Sequence, residues 1–186
     1  MRPMAFAAPL FLLAYGVLRW IDGLDGHHHK GSLAWNAGHL AFLASMVTFG
    51  LLAIALYRRA TLARRTALVA VAVAVFGAGG MIWVILGDLS KSFAANYPLP
   101  DVLQPIVPIG FVLGMIGLLS LQVAAGRLPV WSPMLFFAGY TAISINLDLL
   151  PLAALLILGA SWPLARPAVA AARPAGQAAS MSGTVR

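Results

Sequence analysis

The chain contains no cysteine and no glutamate. The first absence removes disulfides, thiolate nucleophiles, iron–sulfur clusters and cysteine-based zinc sites. The second leaves acid–base chemistry to five aspartates and four histidines. Charge of either sign is scarce, at 9% of the residues, where an ordinary soluble domain carries about 25%. So few charges cannot cover the water-facing surface of a 186-residue fold. Nothing has the form HExxH, GxSxG, a P-loop, or GxGxxG between a strand and a helix. The enzyme classes those motifs mark lose their support.

What the chain has instead is apolar length. Hydrophobic residues make up 61% of it and the mean hydropathy is +0.91. A helix crossing the hydrocarbon core needs about 20 apolar residues. The runs 35–57, 66–87 and 103–123 meet that length without a charged residue. A fourth, 4–20, closes on Arg19 and Trp20 with no small-x-small cleavage site, so it reads as a retained span with an interfacial tryptophan. The alternating stretch Val69–Val75 mimics a strand, but both alternating residue types are apolar and the run continues to membrane length, so it reads as helix. The fold class is therefore all-α, a polytopic transmembrane helix bundle occupying residues 1–165.

The last apolar stretch, 130–164, is too long for one crossing and carries INLDLLP in its middle. It is either one helix kinked at Pro151, giving five spans, or two helices over 130–147 and 149–165, giving six. In the second case Asp148 becomes the N-cap of the last helix and Pro151 falls harmlessly in its first turn. Charge placement favours six. Arg58, Arg59, Arg64 and Arg65 mark their loop as cytoplasmic. Six spans then put Arg2, Arg127, Arg166, Arg173 and Arg186 on that same side, leaving only Arg19, Lys30 and Lys91 opposite. All five aspartates fall at the outer side. Both termini are expected in the cytoplasm, and the Ala/Pro/Gly/Ser-rich segment 166–186 is expected to be a disordered tail. Ten arginines against two lysines fit a GC-rich bacterial genome, hence a bacterial plasma membrane. The net charge of +7 does not point to nucleic acid, because the basic residues sit between apolar runs as topology signals.

In lipid, helices associate largely through small residues that let backbones approach. Ala70, Ala74 and Ala78, beside Gly77, form such a ridge, and Gly110 and Gly114 offer a second. Asp88 lies five whole turns after Ala70 and so continues the ridge's face at its outer end.

Two polar groups are candidates for chemistry. The loop after the first span holds Asp25, His27, His28 and His29. Imidazoles and carboxylates together suit zinc, nickel or copper. Three adjacent histidines diverge, however, and a solvated loop is the preferred reading, with a metal site the weaker one. The second group comprises Asn36, His39, Asp88, Asn146 and Asp148, all at outer span ends, which would form one outward-facing polar pocket if they converge. Bis-histidine haem would need a histidine on a second span, and no cofactor is implied.

Three functions follow as expectations. The first is a non-enzymatic accessory subunit whose small-residue ridges meet a membrane partner or a second copy, with the bilayer as its solvent. The second is a small transporter, channel or sensor using the pocket around His39 and Asp88. The third is an intramembrane lipid-modifying enzyme using the same two groups as acid and base.

Overall fold

A computed structural model describes residues 1–27 and 29–165; His28 and the expected tail 166–186 lie outside the described residues. Among the described residues the chain is helical with no strand. The elements are α1 (Arg2–Asp22), α2 (Leu33–Arg59), α3 (Arg64–Leu89), α4 (Lys91–Asn96), α5 (Leu103–Ala124), α6 (Trp131–Ile145) and α7 (Leu150–Ala165), with a single 3₁₀ turn over Leu147–Leu149 before α7. Five of these are long and apolar enough to cross a membrane: α1, α2, α3, α5, and α7 together with its 3₁₀ turn. The fold is a polytopic transmembrane helix bundle. Most helices run a residue or two past the apolar runs that predicted them, because a helix does not stop where the hydrocarbon does.

The stretch around INLDLLP is a hairpin and not a kink. The Ser132 hydroxyl, at the start of α6, donates to the Ala160 carbonyl near the end of α7. Gly139 faces Ile157 and Ala153 so closely that a Cβ there would lie 2.7 Å from the Ile157 side chain. The two helices are thus antiparallel. With 15 residues, α6 is about 22 Å long at 1.5 Å per residue, shorter than the hydrocarbon core of about 30 Å. The six expected spans are therefore five full-length helices and one short one. The capping role expected of Asp148 falls to Asn146, whose extended backbone breaks the chain and whose side-chain oxygen accepts the Asp148 amide at 2.9 Å. Pro151 sits in the first turn of α7, where its missing N–H costs nothing.

The helices form a ring in the order α1, α2, α3, α5, α6, α7, with α7 closing back on α1. The closest pairing is that of α3 with α5. A Cβ on Gly77 would overlap the Phe111 backbone, one on Gly114 would overlap the Ala74 backbone and the Ala70 carbonyl, and one on Gly80 would strike Val107. Gly110 sits more loosely, its Cβ position 3.7 Å from Val73. Ala78 turns toward α2, where a Cβ on Gly50 would come within 3.9 Å of it. Across α1 and α2, the Ser45 hydroxyl donates to the Ala8 carbonyl at 2.8 Å. The weakest pairing in the ring is that of α5 with α6.

Aromatic rings fill the middle of the ring. Phe49 of α2, Phe111 of α5 and Phe136 of α6 are all at most 1% exposed. Tyr140 joins them, its ring 5.3 Å from Phe111 and 4.9 Å from Phe136. This cluster separates two chemically different ends. One, the arginine end, holds Arg58, Arg59, Arg64, Arg65 and Arg127, with Arg127 donating to the Arg59 carbonyl and so bracing two loops. The other, the aspartate end, holds the loops 23–32, 90–102 and 146–149.

Candidate functional site

At the aspartate end the loop between α1 and α2 is organised by Asp22. Its carboxylate accepts from the Ser32 hydroxyl at 2.5 Å and from the His29 amide at 3.1 Å. Ser32 in turn caps α2 by accepting the Trp35 amide at 2.9 Å. This cap sets the register of the helix that carries Trp35, Asn36 and His39.

His39 is only 4% exposed. Its ring stacks on Trp35 at 4.2 Å and meets Tyr15 edge-on at 5.3 Å. Nδ1 lies 2.8 Å from the Trp35 carbonyl oxygen. A carbonyl only accepts, so Nδ1 carries the proton. Nε2 then points across the α2–α3 contact toward Asp88 Oδ2, 3.7 Å away. Lys30 approaches the other oxygen of Asp88, also at 3.7 Å, and lies over the Trp35 ring at 5.6 Å. The Trp35 indole donates to the Asp88 carbonyl at 3.4 Å, which holds the end of α3 beside α2.

Asp88 opens onto a groove with two lobes, of about 550 and 510 Å³. Asn36, Lys30 and Lys91 line the smaller lobe. The larger one runs under α4 and contains Trp83, Phe93, Tyr97, Asp101 and Gln104. Ser90 makes α4 possible by accepting the Phe93 amide at 3.2 Å. The short helix then lays Phe93 against Trp83, with centroids 5.2 Å apart, and the Trp83 indole donates to the Tyr97 carbonyl at 2.9 Å. The result is an aromatic wall facing two carboxylates.

Of the five residues expected to converge, His39 and Asp88 meet and Asn36 lines the same groove, its amide donating to the Gly31 carbonyl at 3.3 Å. Asn146 and Asp148 do not join them. They lie in the turn before α7, which packs on α1, where the Asp148 carbonyl accepts the Trp20 indole at 2.7 Å. The larger lobe is not legible in the sequence because α4, with 6 residues, is too short for apolar periodicity to mark it. Its signal was Ser90 three residues ahead of Phe93, a serine cap in front of KSFAAN.

In the histidine loop, His29 Nε2 and Asp25 Oδ2 pair at 2.8 Å, and the His27 amide donates to Asp25 Oδ1 at 3.1 Å. The hydrogen bond with Asp25 holds the His29 pKa above the ordinary imidazole value. His29 and the His27 amide together hold Asp25 below the ordinary carboxylate value. Among the described residues no three histidine or aspartate side chains gather in a metal-holding group.

The class defined by fold and site is thus a multi-pass membrane helix bundle with a polar groove at one end. Searches with the chain matched no protein-family model, no curated protein and no solved structure.

Proposed function

We propose that the protein is a non-enzymatic membrane binding protein of the sensor type, which takes a small cationic head group into the groove beside Asp88. The observation that carries this reading is the Asp88 carboxylate, which lines both lobes of the groove. Lys30 approaches that carboxylate at 3.7 Å from the loop, so an entering cationic head group takes the place of the lysine ammonium beside it. The aromatic wall of Trp83, Phe93 and Tyr97 and the second carboxylate, Asp101, supply what an ammonium group prefers, a ring face and a negative charge. Binding fits better than conduction, since the buried Phe49, Phe111 and Phe136 stand in the line of any path through the bundle.

The charges support an orientation. Arg2, Arg58, Arg59, Arg64, Arg65 and Arg127 share one end without an acid, and all five aspartates share the other. In a bacterial plasma membrane this sets the arginine end and both termini in the cytoplasm and the groove outside. The accessory-subunit reading loses its main support, because Ala70, Ala74, Gly77, Ala78 and Gly114 are engaged inside the bundle.

The test is equilibrium binding of decyltrimethylammonium to the purified protein, followed by tryptophan fluorescence. Asp88→Asn is expected to weaken binding by about tenfold, the equivalent of roughly 1.4 kcal/mol, and decyl sulfate is expected not to compete. Equal affinity in wild type and Asp88→Asn overturns the reading.

A further inference from the structure

A second cavity lies on the aspartate side of the aromatic cluster, inside the ring, and meets the outer groove at a wall formed by Met81 and Pro108. It measures about 190 Å³ and is walled by Leu12, Tyr15, Phe42, Ile109, Tyr140 and Leu147, among others. Its lining is almost wholly apolar. Two of its walls, Ile109 on α5 and Leu147 just after α6, are themselves 57% and 45% exposed at the bundle's outer surface. These two walls stand at the outer surface beside the seam where α5 and α6 pair most weakly.

Of the three hydroxyl-bearing residues in the wall, Tyr15, Tyr140 and Ser144, Tyr140 stands out. Tyr140 is 9% exposed, and its hydroxyl, fully shielded, has no hydrogen-bond partner among the described residues. Ser144, one turn on, donates to the Tyr140 carbonyl at 3.0 Å, and its oxygen does not accept from the phenol. A buried hydroxyl without a partner costs free energy. Phenylalanine would have packed on Phe111 and Phe136 without that cost. An apolar cavity with one positioned polar group is the usual form of a small-molecule site between helices.

We propose that this cavity binds, from the bilayer, an apolar molecule carrying one carbonyl oxygen, and that the Tyr140 side chain, which lines the cavity with its hydroxyl shielded, shifts on binding so that the hydroxyl donates to that oxygen. The size sets the scale of what enters. An apolar cavity of about 150 Å³ accepts a benzene-sized ring, so 190 Å³ takes a ring or a short length of chain, and the remainder of the ligand trails out between α5 and α6. Two sources share this chemistry: the ring carbonyl of a quinone and the ester carbonyl of a lipid.

The experiment measures binding of menadione and methyl octanoate, each against its hydrocarbon counterpart (2-methylnaphthalene and nonane), by thermal shift and native mass spectrometry. Wild type should prefer at least one carbonyl probe over its counterpart by about fivefold or more. Menadione alone points to a quinone-type ring, and methyl octanoate alone to a lipid ester. Tyr140→Phe should melt no lower than wild type and lose the preference. Ile143→Phe, which narrows the cavity and keeps the hydroxyl, should reduce binding of both carbonyl probes. A wild type that does not distinguish carbonyl from hydrocarbon, or a Tyr140→Phe that still does, overturns the proposal. Binding of decyltrimethylammonium in the outer groove should be unchanged in Tyr140→Phe, so the two sites stand or fall separately.

Discussion

His29 and Asp25 show what a single pair in a solvated loop can be expected to do. Both are fully exposed, so their contact is a local clasp and not a source of fold stability. Its pH window follows from the two shifts. The His29 value is raised above 6.5, so its contribution is complete below 6.5 and is lost as pH rises through the higher folded value. The Asp25 value is lowered from 3.8, so its contribution is complete above 3.8 and is lost as pH falls through the lower folded value. The clasp holds between those limits. An NMR titration of the histidine rings should find His29 titrating above the ordinary imidazole value, and Asp25→Asn should return it there. At this scale the sequence marks the polar groups at the span ends and leaves their partners unspecified. His39 was recognisable one turn inside its span, and Asp88 at the end of another. That Nδ1 is committed to the Trp35 carbonyl is a contact one turn back in the same helix, whereas His39 and Lys30 reach Asp88 only through the docking of α2 and its preceding loop on α3.

At the scale of elements, α3 and α5 offer the sharpest test. The Cβ positions of Gly77 and Gly114 fall on backbone atoms of the opposing helix, which cannot swing aside as a side-chain tip can. Gly77→Ala and Gly114→Ala should each destabilise the bundle by about 1–3 kcal/mol, the usual cost of overpacking. Gly79→Ala, with nothing within 4 Å of its Cβ position, should leave stability unchanged. Thermal unfolding in one detergent would compare all three. The helices themselves were legible because each long apolar run has one physical solution in lipid, a helix whose backbone bonds are internal. The hairpin at INLDLLP was legible only as one of two options. Charge favoured it, and the structure adds the reason: Asn146 breaks the helix and Gly139 lets α6 and α7 close against each other. The α4 helix escaped because its six residues are too short for periodicity to show.

For the whole molecule, the segregation of arginines from aspartates is the feature that a membrane experiment reads most directly. With no native cysteine, one introduced thiol is the only one to label. Gly26→Cys, in the loop after α1, should react with a membrane-impermeant maleimide on intact cells. Thr61→Cys, between α2 and α3, should react only after the cells are opened. The reverse pattern would invert the orientation and turn the groove toward the cytoplasm. The ring also has an uneven stiffness that no span count conveys. α5 is fastened to α3 by backbone-to-backbone glycine contacts, and α6 to α7 by a tight turn and a hydroxyl staple. The seam between those two rigid pairs joins them chiefly through aromatic rings, which slide where interlocked backbones do not. Heat, detergent or a guest molecule should therefore part the bundle first along this line, and amide hydrogen exchange should be fastest beside it.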